Sequence, residues 1–162
     1  MQVEKQYLIS KEKFATLFIL TFGLYGLWWK YKAWRFFDQK DHLEIMPAVR
    51  ALFSVFFLIS LFNRIRSYAY DSGIKRSFSS VGYYLGFFAL TFTYKLPDPF
   101  WLLNVTAFIF LITPFDLLND SIRNSEEINW QNQPEFNARQ IILLAIGAIF
   151  WMFLIIALFL LF

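Results

Sequence analysis

The sequence predicts an all-α, polytopic helical membrane protein. Three observations carry this: an excess of apolar residues, their grouping into continuous runs, and cations placed beside those runs. Hydrophobic residues make up 58% of the 162 and charged residues 17%, against roughly 45–50% and about 25% in soluble domains. The 22 phenylalanines exceed what so small an interior hides from water, whereas lipid solvates apolar faces directly.

The runs do not alternate with period two, which favours helices over a membrane β-barrel. There are five: Phe14–Trp29, Ala51–Asn63, Ser77–Tyr94, Pro99–Phe115 and Ile141–Phe162. The last has 22 residues and matches the roughly 20 needed to cross the hydrocarbon. The third and fourth, of 18 and 17 residues, suffice when interfacial aromatics extend them. Residues 77–94, 99–115 and 141–162 are therefore the predicted membrane helices. Lys95-Leu96-Pro97-Asp98-Pro99 is a tight polar turn that makes the first two an antiparallel hairpin.

The N-terminal stretches, 14–29 and 51–63, are short. Each is either a short span or a re-entrant or interfacial helix. Residues 14–29 carry Thr21, Gly23 and Gly26. They form either one helix continuing into Tyr31, Lys32 and Trp34 or two helices broken near Gly23. No small-residue cleavage site follows, so the stretch is expected to be retained. Residues 116–139 read as a polar acidic loop with five carboxylates, rich in Asn and Gln. The whole chain, 1–162, reads as a single membrane domain.

Charge sets the expected topology. If all five stretches cross, nine Lys and Arg lie on the N-terminal side and six opposite. If the first two are re-entrant, the division is fourteen against Lys95 alone. Both arrangements put the N-terminus and the acidic loop in the cytoplasm and the C-terminus beyond the membrane. The pI of about 9.2 is explained by loops facing anionic lipid, so no nucleic acid is expected.

Thr21-Phe22-Gly23-Leu24-Tyr25, with Leu27, Trp29, Tyr31, Lys32 and Trp34, resembles the T-F-G-L-Y-x-L-x-W-x-Y-K-x-W element of a family of small bacterial inner-membrane proteins of unknown function. Pro47, Arg50, Ala51 and Phe53, then Leu96-Pro97-Asp98-Pro99 and Trp101, resemble its later elements. Lys30 and Ala33 depart from the pattern, where an aromatic and an Asn are expected. The resemblance implies a protein of the bacterial inner membrane with no established activity, and the charge division then makes the C-terminus periplasmic.

The residues offer binding surfaces rather than chemistry. Trp28, Trp29, Tyr31 and Trp34 beside Lys30, Lys32 and Arg35 suit the headgroup level, as an interfacial anchor or a lipid or partner site. Ser79, Gly82, Gly86, Ala89 and Thr93 fall at helical spacing. Such a stripe lets another backbone approach, inside the chain or across a homo-oligomer. Arg50 and Arg64, costly at depth, are expected to pair with carboxylates such as Asp116 or Asp120, or with lipid phosphate. Arg50, Ser54 and Arg64 share a side if 47–66 is one helix. Asp116, Asn119, Asp120 and Arg123 share a face if the fourth helix passes Pro114, and Asp120 then pairs with Arg123.

No catalytic residue, cofactor or metal site is expected. His42, the one histidine, has Asp38 four residues before it as a possible partner, but no second His or Cys exists and metal sites usually need three or four ligands. Cysteine is absent. No glycine-rich phosphate loop or nucleophile elbow occurs. The leading expectation is a binding or accessory module that packs against a membrane partner, itself or specific lipids. A channel or transporter subunit, drawing on Arg50, Asn104, Thr106, Thr113 and Asp116, comes second, and a lipid-modifying enzyme third.

Overall fold

The computed structural model describes residues 3–161, and Phe162, the last residue of the predicted 141–162 helix, lies outside them. Its elements are β1 (Gln6–Leu8), α1 (Lys11–Leu20), α2 (Leu24–Asp41), α3 (Pro47–Leu52), α4 (Ser54–Asp71), α5 (Ser80–Thr91), α6 (Ile109–Arg123), β2 (Trp130–Asn132) and α7 (Ala138–Leu161). Short 3₁₀ segments, Phe92–Lys95 and Phe100–Phe108, join α5 to α6. The all-α expectation holds apart from one small parallel pair, β1 with β2, in the register Gln6↔Trp130 and Leu8↔Asn132.

The 14–29 stretch is two helices. Ser10 caps α1 by accepting from the Lys13 amide. Thr21 ends it, and its hydroxyl donates to the Leu17 carbonyl (2.6 Å) while accepting from the Tyr25 amide (3.0 Å). Phe22 and Gly23 then take positive φ, 50° and 86°. A left-handed φ is cheap only for glycine, which explains Gly23 at the reversal. From there α2 returns antiparallel, with Phe14 edge-on to Trp29 (5.7 Å) and stacked on Phe115 (4.4 Å).

The 51–63 stretch is also broken. α3 stops at Phe53, and α4 starts at Ser54 and runs on to Asp71. Arg50, Ser54 and Arg64 therefore do not share one continuous helix face. Arg64 meets Asp41 at 3.3 Å, not Asp116 or Asp120. Arg50 meets no carboxylate among the described residues; its guanidinium lies over Trp34 (4.7 Å) and Phe57 (5.1 Å).

The predicted hairpin of the third and fourth stretches forms, with its turn near Asp98. Its first arm is shorter than expected, because α5 has 12 residues before the chain tightens into 3₁₀ geometry. Among the described residues two helices are long and apolar enough to cross a membrane, Phe100–Arg123 and Ala138–Leu160, fewer than the three predicted. α6 does continue past Pro114, so residues 116–123 are helix rather than loop, and 130–132 are strand.

Within the chain the small-residue stripe does not pack as one seam. The Phe110 ring lies where a Cβ on Gly86 would sit, so Gly86 admits the α6 side of the hairpin. Gly82 meets only Ser79, its own helix cap, and Gly82 and Ala89 are exposed. The buried residues of α5 are Ser80 and Phe87 instead.

Candidate functional site

A cavity of about 550 Å³ opens between β1, α2, α6 and the first turn of α7. Its apolar lining includes Trp29, Ala33, Phe36, Phe115 and Leu118. These fall on one face of α2 and one of α6 because apolar residues recur there at helical spacing. The lining also carries five amides, Gln6, Asn119, Gln133, Asn137 and Gln140, and it includes Tyr25, Trp28, Lys32 and Arg139. No Asp or Glu lines the cavity among the described residues.

The polar lining is held from elsewhere. The Asn119 amide donates to the Ile9 carbonyl (3.0 Å), tying α6 to the start of α1. The β1–β2 pair delivers Gln133, whose backbone N–H donates to Leu8 (2.8 Å). Asn137 and Gln140 form a reciprocal cap on α7. The Gln140 amide donates to Asn137 Oδ1 (2.9 Å), and the Asn137 amide to Gln140 Oε1 (3.0 Å). Two of the orphan donors of the helix start are thereby satisfied. Gln140 also donates to the Tyr25 hydroxyl (3.1 Å). Burial pushes the Tyr25 phenol above its ordinary pKa, against the Gln140 hydrogen bond, so it stays a neutral group with its own hydrogen to donate.

Of the two cations, Lys32 is paired with Glu4 (2.9 Å), which also holds Arg35 (2.8 Å). An ammonium has three donors, so Lys32 keeps hydrogens for a ligand. Arg139 is exposed and makes no ion pair among the described residues. It sits in the first turn of α7, where the helix dipole adds positive potential.

The seven aromatic and basic candidates of the motif do not lie on one face of α2. Trp28, Trp29 and Lys32 line the cavity. Tyr31 and Arg35 support it: the Tyr31 ring packs on Trp28 (5.2 Å), and Arg35 donates to the Tyr31 hydroxyl (3.3 Å). Lys30 and Trp34 lie elsewhere on α2, both buried. Lys30 points its ammonium at the Phe87 ring (5.1 Å), and burial pulls its pKa down to about 8.

The other candidates are accounted for structurally. Arg76 bridges Asp116 (3.3 Å) and Asp120 (2.6 Å), and Arg123 reaches Asp120 at 3.0 Å, the expected pair. Thr113 bonds Tyr83 (3.1 Å) and Thr106 the Leu103 carbonyl. His42 is the left-handed cap of α2, while Asp38 accepts from the Ile45 amide rather than pairing with it. Among the described residues no three His, Asp or Glu side chains converge as a metal would require.

Sequence reasoning missed Gln6, Asn119, Asn137, Arg139 and Gln140 as site residues. They come from three distant segments brought together by the strand pair and α6. One local signal was readable: Asn137-x-x-Gln140 before a long apolar run is a capping pattern. Compared with known families, curated proteins and solved structures, the chain finds no match.

Proposed function

We propose that this chain is an integral membrane binding module that takes an amphiphilic lipid at the cavity between α2, α6 and α7. The observation that carries the reading is the cavity's mixed lining, in which aromatic and aliphatic side chains stand with cations and amides. It lies beside the first turn of a helix whose apolar residues are almost all exposed. A headgroup on the polar groups and chains along α7 match that lining.

The arrangement in lipid follows the same logic. α1 has 10 residues, about 15 Å of helix, or half the hydrocarbon thickness. Its end at Leu20 abuts Gly147, nine residues into α7. We read α1–α2 and α3–α4 as two re-entrant hairpins with apolar tips at Phe22 and Phe53. α5 with its 3₁₀ extension, the Phe100–Arg123 segment and α7 then cross. This is the topology that leaves Lys95 alone outside, with the N-terminus cytoplasmic, and it agrees with the resemblance to small bacterial inner-membrane proteins.

The test is to purify the full chain in mild detergent and quantify retained lipid against the Trp28→Ala variant. About one tightly held lipid per protein is expected, reduced severalfold by the substitution at unchanged melting temperature. No lipid above the detergent background, or equal retention by both proteins, overturns the reading.

A further inference from the structure

Resting on that reading, we propose that the cavity selects an anionic phospholipid whose headgroup ends in hydroxyls, of the phosphatidylglycerol class, over one that ends in an ammonium. Three features of the lining argue for it. Lys32 and Arg139 supply two positive charges, and the lining carries no carboxylate among the described residues. Glu4, the nearest acid to Lys32, is already held by both Lys32 and Arg35. A phosphate is therefore matched, whereas a terminal ammonium meets two like charges and no partner. Guanidinium also suits phosphate well, because its planar donors bind two oxygens together.

The second feature is what surrounds the cations. Tyr25 keeps a hydroxyl hydrogen after accepting from Gln140. Asn137 uses its carbonyl oxygen in the helix cap, which leaves its NH₂ to donate. Asn119 uses its NH₂ on Ile9, which leaves its carbonyl oxygen to accept. A mixed set of neutral donors and acceptors fits hydroxyls, which do both.

The third is the potential at the aromatic rings. The aromatic rings of the lining could hold an ammonium by cation–π attraction in another setting. Here the flanking lysine and arginine raise the potential at the same rings, so the charge balance favours an anion.

The experiment titrates the full-length protein in neutral detergent with three probes: dihexanoyl phosphatidylglycerol, dihexanoyl phosphatidylethanolamine and soluble glycerol phosphate. Native mass spectrometry reads the occupancy. The glycerol lipid is expected to bind about tenfold more tightly than the ethanolamine lipid, a difference of about 1.4 kcal/mol. Arg139→Gln, on an exposed side chain, is expected to remove most of that preference, chiefly by weakening glycerol-lipid binding severalfold. Lys75→Gln, an exposed charge away from the cavity, should match the parent. Equal affinity for the two lipids, or an unchanged preference in Arg139→Gln, overturns the headgroup assignment and leaves the lipid-binding reading standing. Glycerol phosphate binding as tightly as the lipid overturns the lipid as source. Failure of both lipids to bind removes the underlying reading itself.

Discussion

Along α6 the large apolar side chains turn inward, and Leu111, Phe115, Leu117, Leu118 and Ile122 are all buried. Along α7 their counterparts, among them Ile142, Ile146, Ile149, Phe153 and Ile156, stand about half exposed or more. Of the most apolar window in each segment, 39% is buried for Phe100–Arg123 and 6% for Ala138–Leu160. Both pass as membrane helices on length and composition, yet one builds the protein's interior and the other presents itself to its surroundings. Apolarity alone does not say which solvent a side chain has. α6 carries Asp116, Asp120 and Arg123 in an ion-pair network, so its faces differ. The body of α7 lacks a charged face, so nothing but a few close contacts orients it.

The largest test of this contrast is a matched pair of truncations. Phe115→Ala removes a ring stacked on Phe14 and edge-on to Trp29, and such a loss costs about 3–5 kcal/mol. Phe153→Ala on α7 should cost far less, since its ring is 61% exposed. Thermal melting in one detergent compares them. Equal losses would mean that α7 is as much core as α6.

A smaller effect concerns the place where α7 does touch the protein. A Cβ on Gly147 would collide with the Leu20 carbonyl oxygen. A backbone atom cannot rotate away as a side chain can. Gly147→Leu is therefore expected to cost at least the roughly 1–3 kcal/mol of overpacking, and to break the Trp151 indole bond to the Ile19 carbonyl (3.1 Å). The indole environment gives a fluorescence readout. An unchanged spectrum and melting temperature would show that α1 does not seat α7.

Much of this was legible in the sequence, and the failures share a cause. The run 141–162 and the Lys95–Pro99 turn declared themselves because both are local signals. The break at Gly23 was one of two options, since a glycine permits a reversal without requiring it. The split of the motif into two faces of α2 was not legible. Lys30 beside Trp29 reads as a snorkelling interfacial cation, and only Phe87 and the packing around it show that the residue is buried. The β1–β2 pair was missed because strands of three residues separated by more than a hundred leave no periodic trace. Without that pair, Gln6 and Gln133 could not be placed beside Lys32.

Lys30 sharpens the contrast from the buried side. Its ammonium is desolvated, which pulls its pKa from 10.5 to about 8, a cost on the order of 3 kcal/mol when charged. The Phe87 ring returns roughly 1–2 kcal/mol of that. Lys30→Met should therefore raise stability at pH 7 by about 1–2 kcal/mol. The sign with pH follows from linkage. Between about pH 8 and 10.5 the unfolded chain binds the proton and the folded chain has lost it, so parent stability rises with pH across that window. The substitution should flatten the rise. A parent whose melting temperature is flat or falling there would place the Lys30 ammonium in water.

The smallest predicted effect is the most diagnostic for α7. Ile156 lies on the part of α7 beyond the Gly147 contact and is 48% exposed. If lipid tails cover it, the side chain has the same apolar surroundings whether or not the rest of the protein is folded. Lipid also provides no hydrophobic drive for helices to associate, so shortening the side chain removes contacts that tails replace at once. Ile156→Ala should then shift stability by no more than about 0.5 kcal/mol, the range of a surface change away from special features. It should also leave the oligomer size unchanged. If a second copy of the chain covers this face instead, the same substitution opens a gap between two fixed surfaces. Tails would not fill it while the copies hold together, and the species in native mass spectrometry would move toward the monomer. A stable parent dimer that Ile156→Ala dissociates would therefore make α7 an interface, and the contrast with α6 would become one between two protein cores.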